Sequence, residues 1–266
     1  MDDPQKYFDA NQSLWDKRTL IHKNSSFYDM AGFKSGKDVL TAIELKEIGD
    51  VTGKKLLHLQ CHFGLDTLNW CRMGATCVGL DFSQEAINLA RELNDELRLD
   101  ARFVCCNLLD TAAFVKENFD IVFTSYGTVG WLPELEPWAR IINERLKPGG
   151  FFYMAEFHPV VWMFDDEFTQ IKYHYDNRET IVQEDQPTYT GDTDPISGKE
   201  FSWNHSLSEV INALIGAGLK IEFFNEHMYS PYPNFRNTIE TEPGKWHIKG
   251  MEGKIPMVYS LKASKI

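Results

Sequence analysis

The stretch "LLHLQCHFGLDTL", residues 56–68, packs several polar side chains around a single glycine, Gly64. An apolar run gives way there to an amphipathic one, which is where a nucleotide-binding fold turns from its first strand into its first helix. Asp81 closes the next apolar run, "TCVGLD", 17 residues after Gly64. A carboxylate at a strand end can accept hydrogen bonds from both hydroxyls of a ribose, and Phe82 beside it offers an apolar face to a base. His58, Cys61, His62 and Cys71 crowd the same stretch. They span a strand, a turn and the far end of a helix, so they would not converge tetrahedrally, and no metal is expected. Cys105 and Cys106 are adjacent on a strand and point to opposite faces. All five cysteines lie between 61 and 106, with Cys77, Cys105 and Cys106 in apolar runs, so they are read as reduced core thiols.

Strand ends and helix starts must hold these groups. From residue 54 to 157, apolar runs ("KKLLHLQ", "TCVGLD", "ARFVCCN", "FDIVFTSY", "GFFYMAEF") alternate with amphipathic stretches at 65–73, 84–97, 110–117 and 134–146. That alternation predicts an α/β fold: a parallel sheet covered on both faces by right-handed crossovers, with ligands at the carboxyl ends of the strands. Asp3 and Pro4 suit the start of an N-terminal helix, and a second helix is expected over 37–48. Near the C-terminus, Ser206 with Glu209 predicts a helix start, Gly216 and Gly218 its end, and two strands follow, the last over about 256–263. The intervening 229–254 is too rich in Pro, Gly and Asn for a helix, so the two strands are expected to pair antiparallel.

Bulk properties narrow the partners. The 266 residues carry 39 acidic against 27 basic side chains, a net charge of −12, without a basic cluster. A nucleic-acid substrate is therefore not expected. No run approaches the roughly 20 apolar residues that cross a bilayer, and the N-terminus lacks a cationic start, so a soluble cytoplasmic protein with no membrane partner is expected. The absence of an interdomain linker predicts a single domain over 1–266: an N-terminal helical lid (1–50), a cofactor-binding core (51–158), an insertion or lid (159–204), and a C-terminal helix with an antiparallel strand pair (205–266). In the insertion, alternation around 168–182 and 199–204 suggests a β-ribbon. The same segment equally suits an added hairpin or a dimer contact, and the sequence leaves monomer and homodimer open.

"HLQCHFGLDT", with "SYG" and "PGG" downstream, resembles a variant within the class I S-adenosylmethionine-dependent methyltransferases. The resemblance implies a Rossmann-like α/β/α sandwich of seven mainly parallel strands, the last inserted antiparallel. It also implies S-adenosylmethionine as cofactor and in-line methyl transfer to a small-molecule acceptor. In that family the first strand commonly ends in Asp/Glu-x-Gly-x-Gly-x-Gly; aligned on Gly64, His58 stands at the acidic position and Gln60 and His62 at the first two glycines. A dinucleotide needs glycines so that backbone can approach its pyrophosphate, whereas S-adenosylmethionine has no phosphate, and longer polar side chains can meet its ammonium and carboxylate.

The family pattern implies Gln60, Cys61, His62, Gly64, Asp66 and Thr67 around the methionine portion. Asp81, Phe82 and Ser83 would meet the ribose and adenine. Asn107 and Leu108 would contact the adenine edge, and Ser125, Tyr126 and Gly127 would line the sulfonium. Gln60 and His62 equally suit satisfying buried backbone groups, and Asn107 equally suits capping the helix near 110. Trp131 is a candidate pocket wall, Arg18 a candidate for the cofactor carboxylate, and Pro148-Gly149-Gly150 is read as the turn into the fifth strand. Candidate catalytic bases are His158, Tyr126 and Glu156, and methyl transfer with no dedicated base is an alternative. An NAD-dependent reductase would show Gly-x-Gly-x-x-Gly, and positions 60, 62 and 67 hold no glycine. A noncatalytic binder of S-adenosylmethionine stays open.

Overall fold

The computed structural model describes residues 5–175, 177–191 and 194–266; Asp3 and Pro4 lie outside them. Helices α1 (Gln5–His22), α2 (Met30–Lys34) and α3 (Ala42–Ile48) precede the core. The core runs β1 (Lys55–Leu59), α4 (Leu65–Arg72), β2 (Thr76–Asp81), α5 (Gln84–Leu97), β3 (Arg102–Cys105), α6 (Thr111–Phe114), β4 (Phe119–Thr124), α7 (Leu135–Arg145) and β5 (Leu146–Phe157). An antiparallel ribbon, β6 (Asn177–Glu184) and β7 (Lys199–Asn204), leads to α8 (Leu207–Gly216) and β8 (Leu219–His227). A hairpin of β9 (Thr238–Glu242) and β10 (Lys245–Ile248) separates β8 from the last strand, β11 (Val258–Lys265).

The main sheet has seven strands in the order β3-β2-β1-β4-β5-β11-β8. Only β11 runs antiparallel to its neighbours, β5 and β8, as the family resemblance implies. Its central strands are buried on both faces, which is why they read as unbroken apolar runs. Leu57 and Leu59 join Trp138 and Leu214 in the core on one face, while Leu56 joins Trp70 and Phe123 on the other. Helix α5 buries Ala86, Ile87, Ala90 and Leu93, one stripe at helical spacing, and starts where the Ser83 hydroxyl accepts from the Ala86 N–H at 3.1 Å. Helix α8 starts in the same way on Ser206.

Three sequence expectations shift. The helix expected over 37–48 is only α3: Thr41 caps it by accepting from the Ile43 N–H, and the Val39 N–H donates to Asn69 Oδ1 at 2.8 Å, tying the preceding segment to α4. The 110–117 helix shrinks to a 3-10 turn and α6, because Val115 leaves in extended conformation to bury its side chain. Pro148-Gly149-Gly150 is not a turn ahead of β5 but a bulge within it, since Phe119 pairs with Leu146 and Ile121 already with Phe151.

Helix α1 is stitched to the β6–β7 ribbon. Asn11 on α1 mimics a strand neighbour of β7, donating to the Phe201 carbonyl at 2.8 Å and accepting from the Phe201 N–H at 2.9 Å. Arg18 pairs with Glu200 beside it.

Candidate functional site

After β1 the chain turns through Gln60 (φ 55°), His62 (φ 50°) and Gly64 (φ 75°), three alternate residues in the left-handed region. For an L side chain that conformation costs roughly 1–2 kcal/mol. Local bonds hold it. The Cys61 N–H donates to the Leu80 carbonyl and the His62 N–H to Asp81 Oδ2, both at 2.9 Å, while Gln60 Nε2 donates to the Thr128 carbonyl at 3.0 Å. Gln60 and His62 thus hold the left-handed φ values that glycine adopts most readily. Only at Gly64 is there no room for a side chain, since a Cβ would lie 2.5 Å from the Phe103 ring.

Asp81 ends β2 and is buried, 7% exposed. Oδ2 accepts from His62 and Oδ1 from the Ser83 N–H at 2.9 Å, so each oxygen keeps a lone pair. Burial pushes its pKa up to about 6, against the pull of those two N–H donors. Helix α1 closes over this strand end: Gln12 Nε2 donates to the Phe82 carbonyl at 2.6 Å, and Ser83 Oγ donates to Asp16 at 2.6 Å.

A crevice of about 150 Å³ opens beside Asp81. Gln60, Cys61, His62 and Gly64 line it from the turn, Asp66 from the start of α4, Phe82 from just past β2, and Asn107 and Leu108 from just past β3. Ser125, Tyr126 and Gly127 line it from the end of β4, with Trp131 beyond them. Two residues of the expected set stand behind the wall instead: Thr67 bonds His58 Nδ1 at 2.8 Å, and Ser83 caps α5. Asn107 combines both of its expected places, lining the crevice while Oδ1 caps the Leu108–Asp110 turn.

A second cavity of about 1370 Å³ is walled in part by Trp15 and Arg18 of α1 and by the β6–β7 ribbon. Asp66, Ser125, Tyr126 and Trp131 belong to both walls, so the two spaces meet there. Trp131 is held by its Nε1–H donating to the Gly127 carbonyl at 2.7 Å and by an edge contact with Trp15. Arg18 is on the large cavity's wall, but its guanidinium is committed to Glu200 and lies over the Trp15 and Trp131 rings.

Of the candidate bases, only Tyr126 reaches the junction. His158 is absent from both walls, because Nε2 pairs with Glu226 at 3.0 Å and Nδ1 accepts from the Val160 N–H at 3.2 Å. Glu156 spends its carboxylate on the backbone of 127–129. Among the described residues, no group of three or more His, Cys, Asp and Glu side chains is arranged to hold a metal.

Among the described residues, two buried polar atoms at the turn have no protein partner: Gln60 Oε1 and His62 Nδ1. The His62 ring packs against Trp15 and meets His22 Nδ1 at 3.0 Å, and burial holds both imidazoles neutral, His22 at about 3. A buried unpaired polar atom costs about 1–3 kcal/mol unless a ligand satisfies it, so the turn suits a ligand carrying both donors and acceptors. That fits the ammonium and carboxylate of an amino acid.

Sequence reasoning passed over Glu44 and Thr41. Glu44 is fully buried on α3, takes a hydrogen bond from Thr41, and leaves Oε1 unpartnered. Thr41 Oγ1 lies 3.3 Å from the Tyr126 hydroxyl. A capping Thr three residues before a Glu is the one local signal. Burial raises the Glu44 pKa from 4.5 to about 7, with Asp66 nearby adding to it. The folded state therefore keeps this proton between those two values and the unfolded chain does not. Its contribution to stability is complete below pH 4.5 and fades as pH rises through 7. Glu44→Gln should consequently melt like the parent near pH 4.5 and be more stable by about 3 kcal/mol at pH 8. Melting curves across that range check it, and a constant difference between the two proteins would refute it.

Residues 57–154 match the family model described as a methyltransferase domain. The chain is 29% identical over 131 residues to an uncharacterized methyltransferase of Synechocystis sp., covering 48% of this chain and 59% of that protein. It is 29% identical over 172 residues to the demethylmenaquinone methyltransferase of Lactococcus lactis, covering 62% of each. The chain thus spans about six-tenths of the length of these curated relatives. Among solved structures, a putative S-adenosylmethionine-dependent methyltransferase from Listeria monocytogenes superimposes with a TM-score of 0.60 at 18% identity, over 84% of this chain and 96% of that one. One from Clostridium acetobutylicum does so with a TM-score of 0.57 at 14% identity, over 97% and 98%. At such identities the likeness is one of fold.

Proposed function

We propose that this chain is a class I S-adenosylmethionine-dependent methyltransferase that methylates a small-molecule acceptor, a reading supported by the methyltransferase-domain match at 57–154 and by the strand order of its sheet. The observation that carries the proposal is Asp81: a buried carboxylate at a strand end, each oxygen oriented by one backbone N–H and each keeping a lone pair for one ribose hydroxyl. S-adenosylmethionine, when bound, supplies an activated methyl group on a sulfonium.

The chain's own residues then bind, orient and exclude water. Gln60 Oε1 and His62 Nδ1 find in the methionine portion the partners they lack. Asn107 meets the adenine edge, and Phe82 covers its face. Tyr126, at the junction of the two cavities, directs the acceptor toward the crevice, and the α1–β7 lid shields the junction from water. Orientation and dehydration of this kind can supply several kcal/mol of a transfer barrier. His158 and Glu156, with their polar atoms already committed, are not used as bases. Support for a small acceptor comes from the large cavity that adjoins the crevice and from similar proteins named for small molecules, among them the demethylmenaquinone methyltransferase of L. lactis and, by fold, the geranyl diphosphate C-methyltransferase of Streptomyces coelicolor A3(2).

Titration calorimetry with S-adenosylhomocysteine tests the reading. Binding is expected at pH 8 and should weaken below about pH 6, where Asp81 takes a proton and one of its oxygens stops accepting. Asp81→Asn should flatten that dependence. Absence of binding at any pH, or a preference for NADH, would refute the proposal.

A further inference from the structure

The junction of the two cavities is built from rings. Tyr126 meets Tyr232 edge-on at 5.2 Å, Tyr232 meets Phe27 at 5.9 Å, and Phe27 meets Tyr28 at 5.1 Å and Tyr189 at 5.5 Å. All five line the large cavity. Asp66 lies on both cavity walls, and its charge is felt at Tyr28 and Tyr232.

The charge on this wall is one-sided. Every lysine and arginine on it, among the described residues, is already matched: Arg18 by Glu200, Lys37 by Asp29, Arg236 by Glu167 and Lys245 by Glu242. Asp66 has no ion pair among the described residues, and Glu44 lies behind Thr41. A phosphorylated or carboxylated acceptor would find no free cation here. A positive group would find aromatic faces, whose quadrupoles attract cations, and a carboxylate.

We propose that the acceptor is an amine, held at the junction by the box of Phe27, Tyr28, Tyr126, Tyr189 and Tyr232 with Asp66 as its counter-charge. The assignment rests on the methyl-transfer reading above. An amine arriving as ammonium gives one proton to the Asp66 carboxylate, which frees its lone pair. That pair forms the N–C bond as the S–C bond breaks and leaves its electrons on sulfur. The positive charge passes from sulfur to nitrogen, so the rings face one cation before and after the transfer.

Choline and 3,3-dimethylbutan-1-ol have the same shape and differ by the charge, which makes them suitable calorimetric probes. With S-adenosylhomocysteine present, choline is expected to bind at least about tenfold more tightly than the alcohol. Tyr232→Leu should bring the ratio near one, Tyr232→Phe should preserve it, and Asp66→Asn should lower it. Equal binding of the two probes by the parent protein, or a ratio unchanged in Tyr232→Leu, would overturn the amine assignment while leaving cofactor binding intact. Failure to bind S-adenosylhomocysteine, titrated separately, would instead overturn the methyl-transfer reading.

Discussion

Asp81→Ala is expected to lose at least about 100-fold in affinity for S-adenosylhomocysteine, on the order of 3 kcal/mol by titration calorimetry, because two charge-assisted hydrogen bonds go at once. The same substitution removes the acceptor for the His62 N–H. That bond is one of those holding His62 in the left-handed region, so the turn loses part of its support together with the ribose contact. The conservative change separates the two effects. Asp81→Asn keeps one acceptor oxygen but turns an amide donor toward a backbone N–H, and it should fall between, at roughly tenfold weaker binding, with a melting temperature lowered by about a few degrees. If Asp81→Ala bound within about threefold of the parent, the ribose would have to be held elsewhere and the cofactor assignment would fail.

The legible part of this molecule is the part written in short-range chemistry. Apolar runs buried on both faces mark the parallel strands, and Ser206 with Glu209 marks the start of α8 because the cap is a local bond. Gly64 is readable because no other residue fits against Phe103. The turn ahead of it shows the opposite case. Gln60 and His62 stand at glycine positions of the resembled pattern, but their own residue types do not announce glycine-like φ values, since the bonds that hold them come from Leu80, Asp81 and Thr128 on other strands and loops. The same holds for the junction. Tyr126 and Tyr232 are over a hundred residues apart, and Glu44 comes from a helix whose start the 37–48 pattern blurred. His158 is the converse: a histidine just past a strand looks available in sequence, but Glu226 on β8 takes its Nε2. Such pairings are tertiary, and composition and period carry no record of them.

Glu156 leads to the largest expected loss of stability. Its buried carboxylate accepts five hydrogen bonds: from the backbone N–H groups of Gly127 (2.5 Å), Thr128 (2.7 Å), Val129 (3.2 Å) and Phe157 (2.7 Å), and from the Thr128 hydroxyl (3.1 Å). Burial pushes its pKa upward and the backbone donors pull it back, so the group is a fastening for the loop. Alanine would leave those four N–H groups buried without an acceptor, at a cost of about 3–5 kcal/mol. For a chain of this size that corresponds to a fall of roughly 10 °C in melting temperature. The damage should be local as well as global. Thr128 holds Gln60 and Gly127 holds Trp131, so freeing 127–129 loosens the turn on one side and the pocket wall on the other. Hydrogen exchange should then show protection lost first at the amides of 127–129, and affinity for S-adenosylhomocysteine should drop although Glu156 is not on the crevice wall. Glu156→Gln retains one acceptor and should lose about half as much stability. A Glu156→Ala protein that melted with the parent would show that the loop is held by its packing, and the link from this carboxylate to the site would have to be abandoned.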